Sequence, residues 1–262
     1  MNVYPIEVQR AILEAMPIAE RRLFLTAGHI ANELVILRKL ILLSNNTPAE
    51  SEIEYHAQAC QSLTLVKLFA LKACAGWEFL QGMRYQPFVQ DYQTDADANL
   101  APCLSRLGAY FSNNRNLLTY IRNKFAGHYD HEEINRVLNE IPDRTFHFYI
   151  TEQSGNSLYY ASEEILFNVL ATQAQPNEDL RAIFNRLIDE VDEVAAAITD
   201  FAQGVMIVVA KKYFPDGRPS AAHVHDVTAI PSRNVPLPFF VDFRDALDEG
   251  DTPTADRSGT PA

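Results

Sequence analysis

Residues 63–80, LTLVKLFALKACAGWEFL, are apolar nearly all the way round a helical wheel. A helix without a polar face has to be covered on every side, so this stretch predicts a deeply buried central helix. It sits inside a longer helical pattern over residues 50–86, which Pro87 ends. Upstream, residues 27–44 place Ile30, Leu34, Leu37 and Ile41 on one stripe of a second helix. Ser44-Asn45-Asn46-Thr47-Pro48 marks its stop, and residues 6–22 form a first amphipathic segment that Pro17 breaks or kinks. Downstream, residues 91–100 are expected as a polar loop, and Pro102 opens a fourth helix running to about Phe125, with Gly127 as its terminator.

A short helix over 131–140 follows. Residues 145–160 then read as a β-hairpin, two aromatic and β-branched runs around Gly155 and Asn156. Ser162 caps a helix to about Ala171, and Asn177 caps a long one to about Lys212. The latter carries a sustained stripe of Leu180, Ile183, Leu187, Val191, Val194, Ile198 and Val205. The fold class is all-α: a helical domain over 1–214 with a small β-hairpin insertion. An irregular Pro-rich extension, 215–248, docks through Val235, Leu237, Phe239 and Phe240, and a disordered tail over 249–262 ends the chain.

The composition, 47% apolar and 21% charged over 262 residues, is that of a globular protein with a full core. Cys60, Cys74 and Cys103 are widely spaced and odd in number, which reads as reduced, core-filling thiols. The start lacks a signal-peptide pattern, and the apolar stretch 34–43 is interrupted by Arg38 and Lys39 and too short to span a bilayer. The expectation is therefore a cytoplasmic protein with no membrane partner. A net charge of −12 argues against broad, sequence-blind binding of duplex nucleic acid but leaves room for a local phosphate site. Such a locality exists: residues 101–129 hold Arg106, Arg115, Arg122 and Lys124 and no acid.

Within it, Arg122-Asn123-Lys124-Phe125-Ala126-Gly127-His128-Tyr129-Asp130 gathers a fixed cation, an amide and a titratable imidazole. These are the parts needed to cleave a phosphodiester without a metal. On an unbroken helix His128 would point about 120° away from Arg122, so the pair converges only if the helix ends between them. Gly127 supplies that end. Arg115-Asn116 echoes Arg122-Asn123 seven residues earlier, which places both pairs on one face of the fourth helix. Arg122 and Lys124 also fit as plain partners of a helix C-terminal dipole, with His128 as a capping imidazole.

Arg122-Asn123 followed by His128, near the end of a buried helix in an all-helical domain, resembles the HEPN superfamily (higher eukaryotes and prokaryotes nucleotide-binding). The family signature is R-x4-6-H with a polar residue after the Arg, here R-N-x4-H, and residues 121–130 look most like its abortive-infection and toxin-type members. The resemblance covers helices two to four and the last long helix. It implies a metal-independent endoribonuclease without cofactors, built as a homodimer whose two motifs meet in one cleft. It further implies RNA as substrate and an antitoxin or regulatory protein as partner. His128 is then the general acid or base, Arg122 stabilises the phosphoryl oxygens, and Asn123 orients the phosphate or His128. Arg115, Lys124 and Tyr129 contact the RNA. Tyr129 directly follows His128, whereas the branch modified by nucleotidyltransferase antitoxins has H-x-Y, so that modification is not expected. The alternatives are a non-catalytic HEPN-like dimer binding a nucleotide or protein, and a helical scaffold.

Other candidates carry less. His131 with Asp130 lacks a third ligand, and His223-x-His225-Asp226 falls in the irregular tail, so no metal site is expected. Glu33 is a polar residue in an apolar helix and a candidate buried partner of the site, and Trp77 reads as core. P-loop, dinucleotide, zinc-protease, hydrolase and di-iron strings are missing.

Overall fold

The structure, a computed structural model, describes residues 2–3, 8–46, 48–126, 131–141, 145–174, 180–214, 225–226, 229–231 and 235–242. It is mainly α, a helical bundle as the hydrophobic periodicity predicts. Three long helices form its frame: α2 (Ile18–Ser44), α3 (Glu52–Met83) and α9 (Leu180–Tyr213). At a rise of about 1.5 Å per residue they run roughly 40–50 Å. Helix α2 lies against both α3 and α9. Shorter helices fill in around them: α1 (Arg10–Ala15), α4 (Pro87–Gln93), α5 (Leu100–Ser112), α6 (Leu117–Ile121), α7 (His131–Glu140) and α8 (Tyr160–Ala174). Helix α5 packs on α9, while α6 and α8 pack on α3.

Burial follows the sequence pattern on α2 and α9, but not on α3. Leu23, Ala27, Ile30, Leu34 and Ile41 of α2 are buried at spacings of three, four and seven. Ser51 caps α3, its hydroxyl accepting the Glu54 amide at 3.2 Å, with Glu52 and Glu54 in the first turn where the helix dipole favours acids. Thr64, Leu68, Lys72, Ala75 and Glu78 leave an exposed stripe on α3, so the all-round burial expected of 63–80 is not found; α2 and α9 cover only part of its circumference. Val66, Phe69, Ala70, Ala73, Trp77 and Leu80 bury one face of α3. Ile183, Leu187, Val191, Val194, Ile198, Phe201 and Val205 do the same for α9.

Several boundaries differ from the periodicity. Pro17 does break the first segment, but α2 starts immediately after it and runs unbroken to Ser44. Pro87 ends nothing; it takes the first position of α4, where its missing N–H costs no bond, and Val89 and Tyr92 bury that helix. The expected polar loop therefore shrinks to residues 94–99. The fourth helix is two. Residues 113–116 turn between α5 and α6, with the Asn113 side chain accepting the Arg115 amide (3.0 Å) and that of Asn116 accepting the Thr119 amide (2.8 Å). Asparagine side chains compete with helical backbone bonds in this way. Arg115 and Arg122 consequently do not share one helical face.

The hairpin reduces to a single antiparallel bridge, Tyr149 with Leu158, whose two backbone bonds are 2.8 and 2.7 Å. A 3-10 turn, Ser154–Asn156, lies between. A two-residue sheet pairs β1 (Asn2–Val3) with β2 (His225–Asp226), antiparallel. Of the Pro-rich extension, residues 235–242 lie on α3 and the 145–160 segment: Phe239 and Phe240 pack against Ala57, Cys60 and Leu158. The Asn156 side chain bonds both the carbonyl (2.7 Å) and the amide (3.0 Å) of Val241. A cavity of about 310 Å³ remains beneath Pro236 and Leu237, against Leu43 and Ala57. The expected tail from 249, and Asn177, lie outside the described residues. Helix α9 is long and apolar enough to cross a membrane, but 56% of its most apolar window is buried inside the protein, as in a central core helix.

One buried charge closes the bundle. Glu20 of α2 accepts bonds from Lys212 Nζ (2.6 Å), Tyr92 (3.1 Å) and Tyr213. Burial pushes its carboxyl up, yet the bonds from Lys212, Tyr213 and Tyr92 outweigh this and hold it below its ordinary value. A carboxylate so depressed contributes stability that is full above the ordinary value of 4.5 and is lost as pH falls through the folded one. Glu20→Ala should cost about 2 kcal/mol at pH 7, chiefly by stranding the buried Tyr92 hydroxyl, since the Lys212 ammonium is 45% exposed and stays solvated. Urea unfolding from pH 7 to 3 should show the wild-type advantage over Glu20→Gln shrinking toward acid; parallel curves would refute the network's role.

Candidate functional site

The Arg122-Asn123 pair sits where helix α6 changes form. Leu117, Leu118 and Ile121 anchor α6 in the core. Its N-terminus is fixed from α9: Glu190 Oε2 accepts the Leu117 amide (2.7 Å) and the Tyr110 hydroxyl (2.6 Å). From Arg122 to Ala126 the chain then runs as a π-helical turn, RNKFA. Such turns are uncommon and concentrate at functional sites, because the extra residue re-aims side chains out of the helical register. Phe125 stays buried and meets Tyr120 edge-on at 5.9 Å, which pins the turn to the bundle.

Arg122 is half-exposed. Its Nη1 donates to Asn123 Oδ1 (3.0 Å) and its Nη2 to Glu78 Oε1 of α3 (2.9 Å). The adjacent amide thus holds the guanidinium. The carboxylate was not foreseen, although Glu78 is the lone acid in the apolar stretch 63–80. Cys74, one turn earlier on α3, is buried, and burial raises its thiol pKa against the opposing pull of Thr119 and Arg122. All three cysteines are buried and free.

Lys124 occupies the same π turn, half-buried. Arg115 lies in the exposed turn before α6, where its carbonyl accepts from Arg186 Nη2 at 3.1 Å. His128 and Tyr129 lie outside the described residues, as do Asp130 and His223. The structure therefore brings Arg122 and Asn123 together, adds Glu78, and keeps Arg115 on a separate turn. Glu33 does not join them: it pairs with Lys72 Nζ (2.5 Å), with His29 at 3.7 Å. Trp77 is core, stacked on Phe111 at 5.4 Å.

A second polar cluster lies at the other end of α3. His56 is buried; its Nδ1 is 2.8 Å from the Tyr149 hydroxyl, and its ring stacks on Tyr160 at 3.6 Å. The His147 ring is 5.6 Å away, and Glu52 Oε1 is 3.9 Å from His56 Nε2. Burial, with His147 adding to it, holds the His56 imidazole below its ordinary pKa despite Glu52 and Glu164, so it is neutral at pH 7. Sequence inspection misses this cluster because His56 and His147 are far apart in the chain.

No family model, curated protein or solved structure matches the chain. The chemistry of the site rests on its own residues.

Proposed function

We propose that the chain is a metal-independent endoribonuclease of HEPN type, a cytoplasmic toxin or phage-defence effector acting as a homodimer. The observation that carries this reading is the π-helical turn that presents Arg122 at the protein surface with its guanidinium held by Asn123. A half-exposed, oriented guanidinium is suited to a phosphodiester's non-bridging oxygens, which it stabilises as charge builds in the transition state. His128, six residues on, serves as general acid or base for attack of the ribose 2′-hydroxyl on its own phosphate. The products are a 2′,3′-cyclic phosphate and a 5′-hydroxyl. Arg115, Lys124 and Tyr129 contribute to holding the RNA, met single-stranded where its backbone is reachable.

The test is cleavage of a mixed RNA pool in EDTA by wild type and His128→Ala side by side. Cleavage by wild type, abolished in a folded His128→Ala protein, is the expected result. Equal cleavage by both removes His128 from the mechanism.

One observation favours a second reading. Glu78 already occupies one edge of the Arg122 guanidinium, on a protein of net charge −12. A non-catalytic HEPN-like dimer that binds a nucleotide or a protein needs no unobstructed phosphate site. Wild-type protein inactive on RNA but dimeric and nucleotide-binding would favour it.

A further inference from the structure

We propose that Glu52, His56 and His147 form a binding site for a divalent transition metal, with zinc the best match and one coordination position left for water. Their donor atoms, one carboxylate oxygen and two imidazole nitrogens, all lie within 4.8 Å of one another. Two imidazoles and a carboxylate are a standard zinc donor set, whereas magnesium and calcium prefer oxygen. Donors bound to a tetrahedral zinc stand about 3.3 Å apart, given bond lengths near 2.0 Å. The largest gap is therefore at most about 1.5 Å; Glu52, 3.9 Å from His56 Nε2 and 73% exposed, can move in by a rotamer change, and the partly exposed His147 ring by a small rotation.

The surroundings of His56 are those of a ligand held ready. Its Nδ1 faces the Tyr149 hydroxyl at 2.8 Å, which leaves Nε2 on the Glu52 side. Metal-binding histidines are oriented in this manner by a hydrogen bond at the other ring nitrogen. The parallel face of Tyr160, 9° from coplanar, fixes the ring's plane. Between Nε2 and Glu52 Oε1 the 3.9 Å distance is too long for a hydrogen bond, so the carboxylate does not satisfy that nitrogen.

His147 is fixed independently of any metal. Its carbonyl accepts the Ala161 amide at 3.0 Å, and the Tyr149–Leu158 bridge lies two residues on. Its ring runs parallel to that of Tyr149, 10° apart at 6.0 Å. A bound ion would thus tie the 145–160 segment to the first turns of α3. The N-terminus of a helix repels a cation, but Glu52 and Glu54 occupy its first turn. Glu164 adds negative field at both His56 and Tyr149. Cys60, one turn beyond His56, stays a protonated thiol, pushed up to about 12 by burial, and is left out of the donor set.

This site is not the Arg122 site. His56 and Glu78 are 22 positions apart on α3, roughly 33 Å along its axis. Neither proposal depends on the other.

The test uses the full chain, stripped of metal and titrated with Zn²⁺ by calorimetry, with Co²⁺ as an optical probe. The expected result is one ion per chain and the visible absorption of four-coordinate Co²⁺. His147→Gln and Glu52→Gln, both at accessible positions, should weaken Zn²⁺ binding at least 100-fold with unchanged circular dichroism. Tyr149→Phe, which touches only the outer hydrogen bond, should weaken it about tenfold. The double variant His223→Ala/His225→Ala should bind as wild type does. Binding lost in that tail variant, unchanged in His147→Gln, or absent from wild type overturns the proposal.

Discussion

Gly204→Val should leave the chain without a cooperative fold. Gly204 is buried in α9, facing the residues that lead into α5. A Cβ placed on it would overlap the backbone carbonyl oxygen of Ala98 and stand 3.1 Å from Leu100 Cδ2. A flexible side chain could yield to such an intrusion, but this backbone is held from several sides. Lys211 Nζ, two turns along α9, binds Asp95 (2.8 Å) and Asp97 (2.7 Å). The Ala98 amide donates to the Asp95 carbonyl at 3.2 Å. Asn99 has a φ of 51°, a left-handed conformation that asparagine tolerates, and Leu100 next to it is buried. Even alanine should cost about 3 kcal/mol here, although alanine is the better helix former by about 1 kcal/mol. Valine adds two methyl groups and should exceed roughly 4 kcal/mol, close to the whole stability of many domains. Gly82 of α3 is the control, with nothing within 4 Å of its added Cβ: Gly82→Ala should stabilise by up to about 1 kcal/mol. Urea unfolding of the three variants decides it. A Gly204→Ala protein as stable as wild type would show that α9 and the 94–99 turn do not approach this closely.

That close approach was not legible in the sequence, and it shows where periodicity stops informing. The long helices were readable because each has to bury a stripe: Ile183, Leu187, Val191, Val194 and Ile198 recur at three and four, and all are buried. Breaks that depend on local polar chemistry were read less well. Pro87 looks the same in sequence whether it ends a helix or begins one, and only the burial of Val89 and Tyr92 decides for a beginning. The asparagines at 113, 114 and 116 carry the turn that splits the fourth helix, yet apolar residues on both sides keep the helical pattern running through it. The aromatic run at 145–150 signals strand, but its side chains are used on α3, where Tyr149 meets His56, and only one bridge forms. Tertiary packing overrides strand propensity in such places.

The site was legible only where its parts are neighbours in the chain. Asn123 beside Arg122 is a contact that adjacency makes easy. Glu78 is 44 residues away, and His56 and Tyr149 are 93 apart. No local pattern announces such pairs; the only hint is a polar residue in an otherwise apolar helix, as Glu78 and His56 are in α3. His56 is buried, and such a residue is retained where a partner from another element satisfies it; Glu78 is exposed and carries no such signal.

Arg122→Ala should lower RNA cleavage about 100–1000-fold, the usual loss when one donor to a developing oxyanion is removed. It should change stability by less than about 1 kcal/mol, because the Arg122–Glu78 pair is solvent-exposed on both sides, 40% and 60%. That contrast separates a phosphate-binding role from a helix-end partner of the dipole, for which stability rather than rate would respond. Glu78→Gln carries the argument further. Under the proposed function the carboxylate would compete with phosphate for Nη2, and neutralising it loosens its hold on that edge of the guanidinium while keeping the side chain's shape. RNA should then bind several-fold more tightly, read as a lower KM with kcat little changed, since the gain applies to ground and transition states alike. The gain should fade at high salt, where both the Glu78 pair and the phosphate contact are screened. If instead Glu78→Gln lowers kcat together with Arg122→Ala, the carboxylate is holding the guanidinium in its working orientation rather than competing for it. Steady-state cleavage by the two variants and their double mutant at low and high salt distinguishes the cases: competition predicts that Glu78→Gln has no effect once Arg122 is gone.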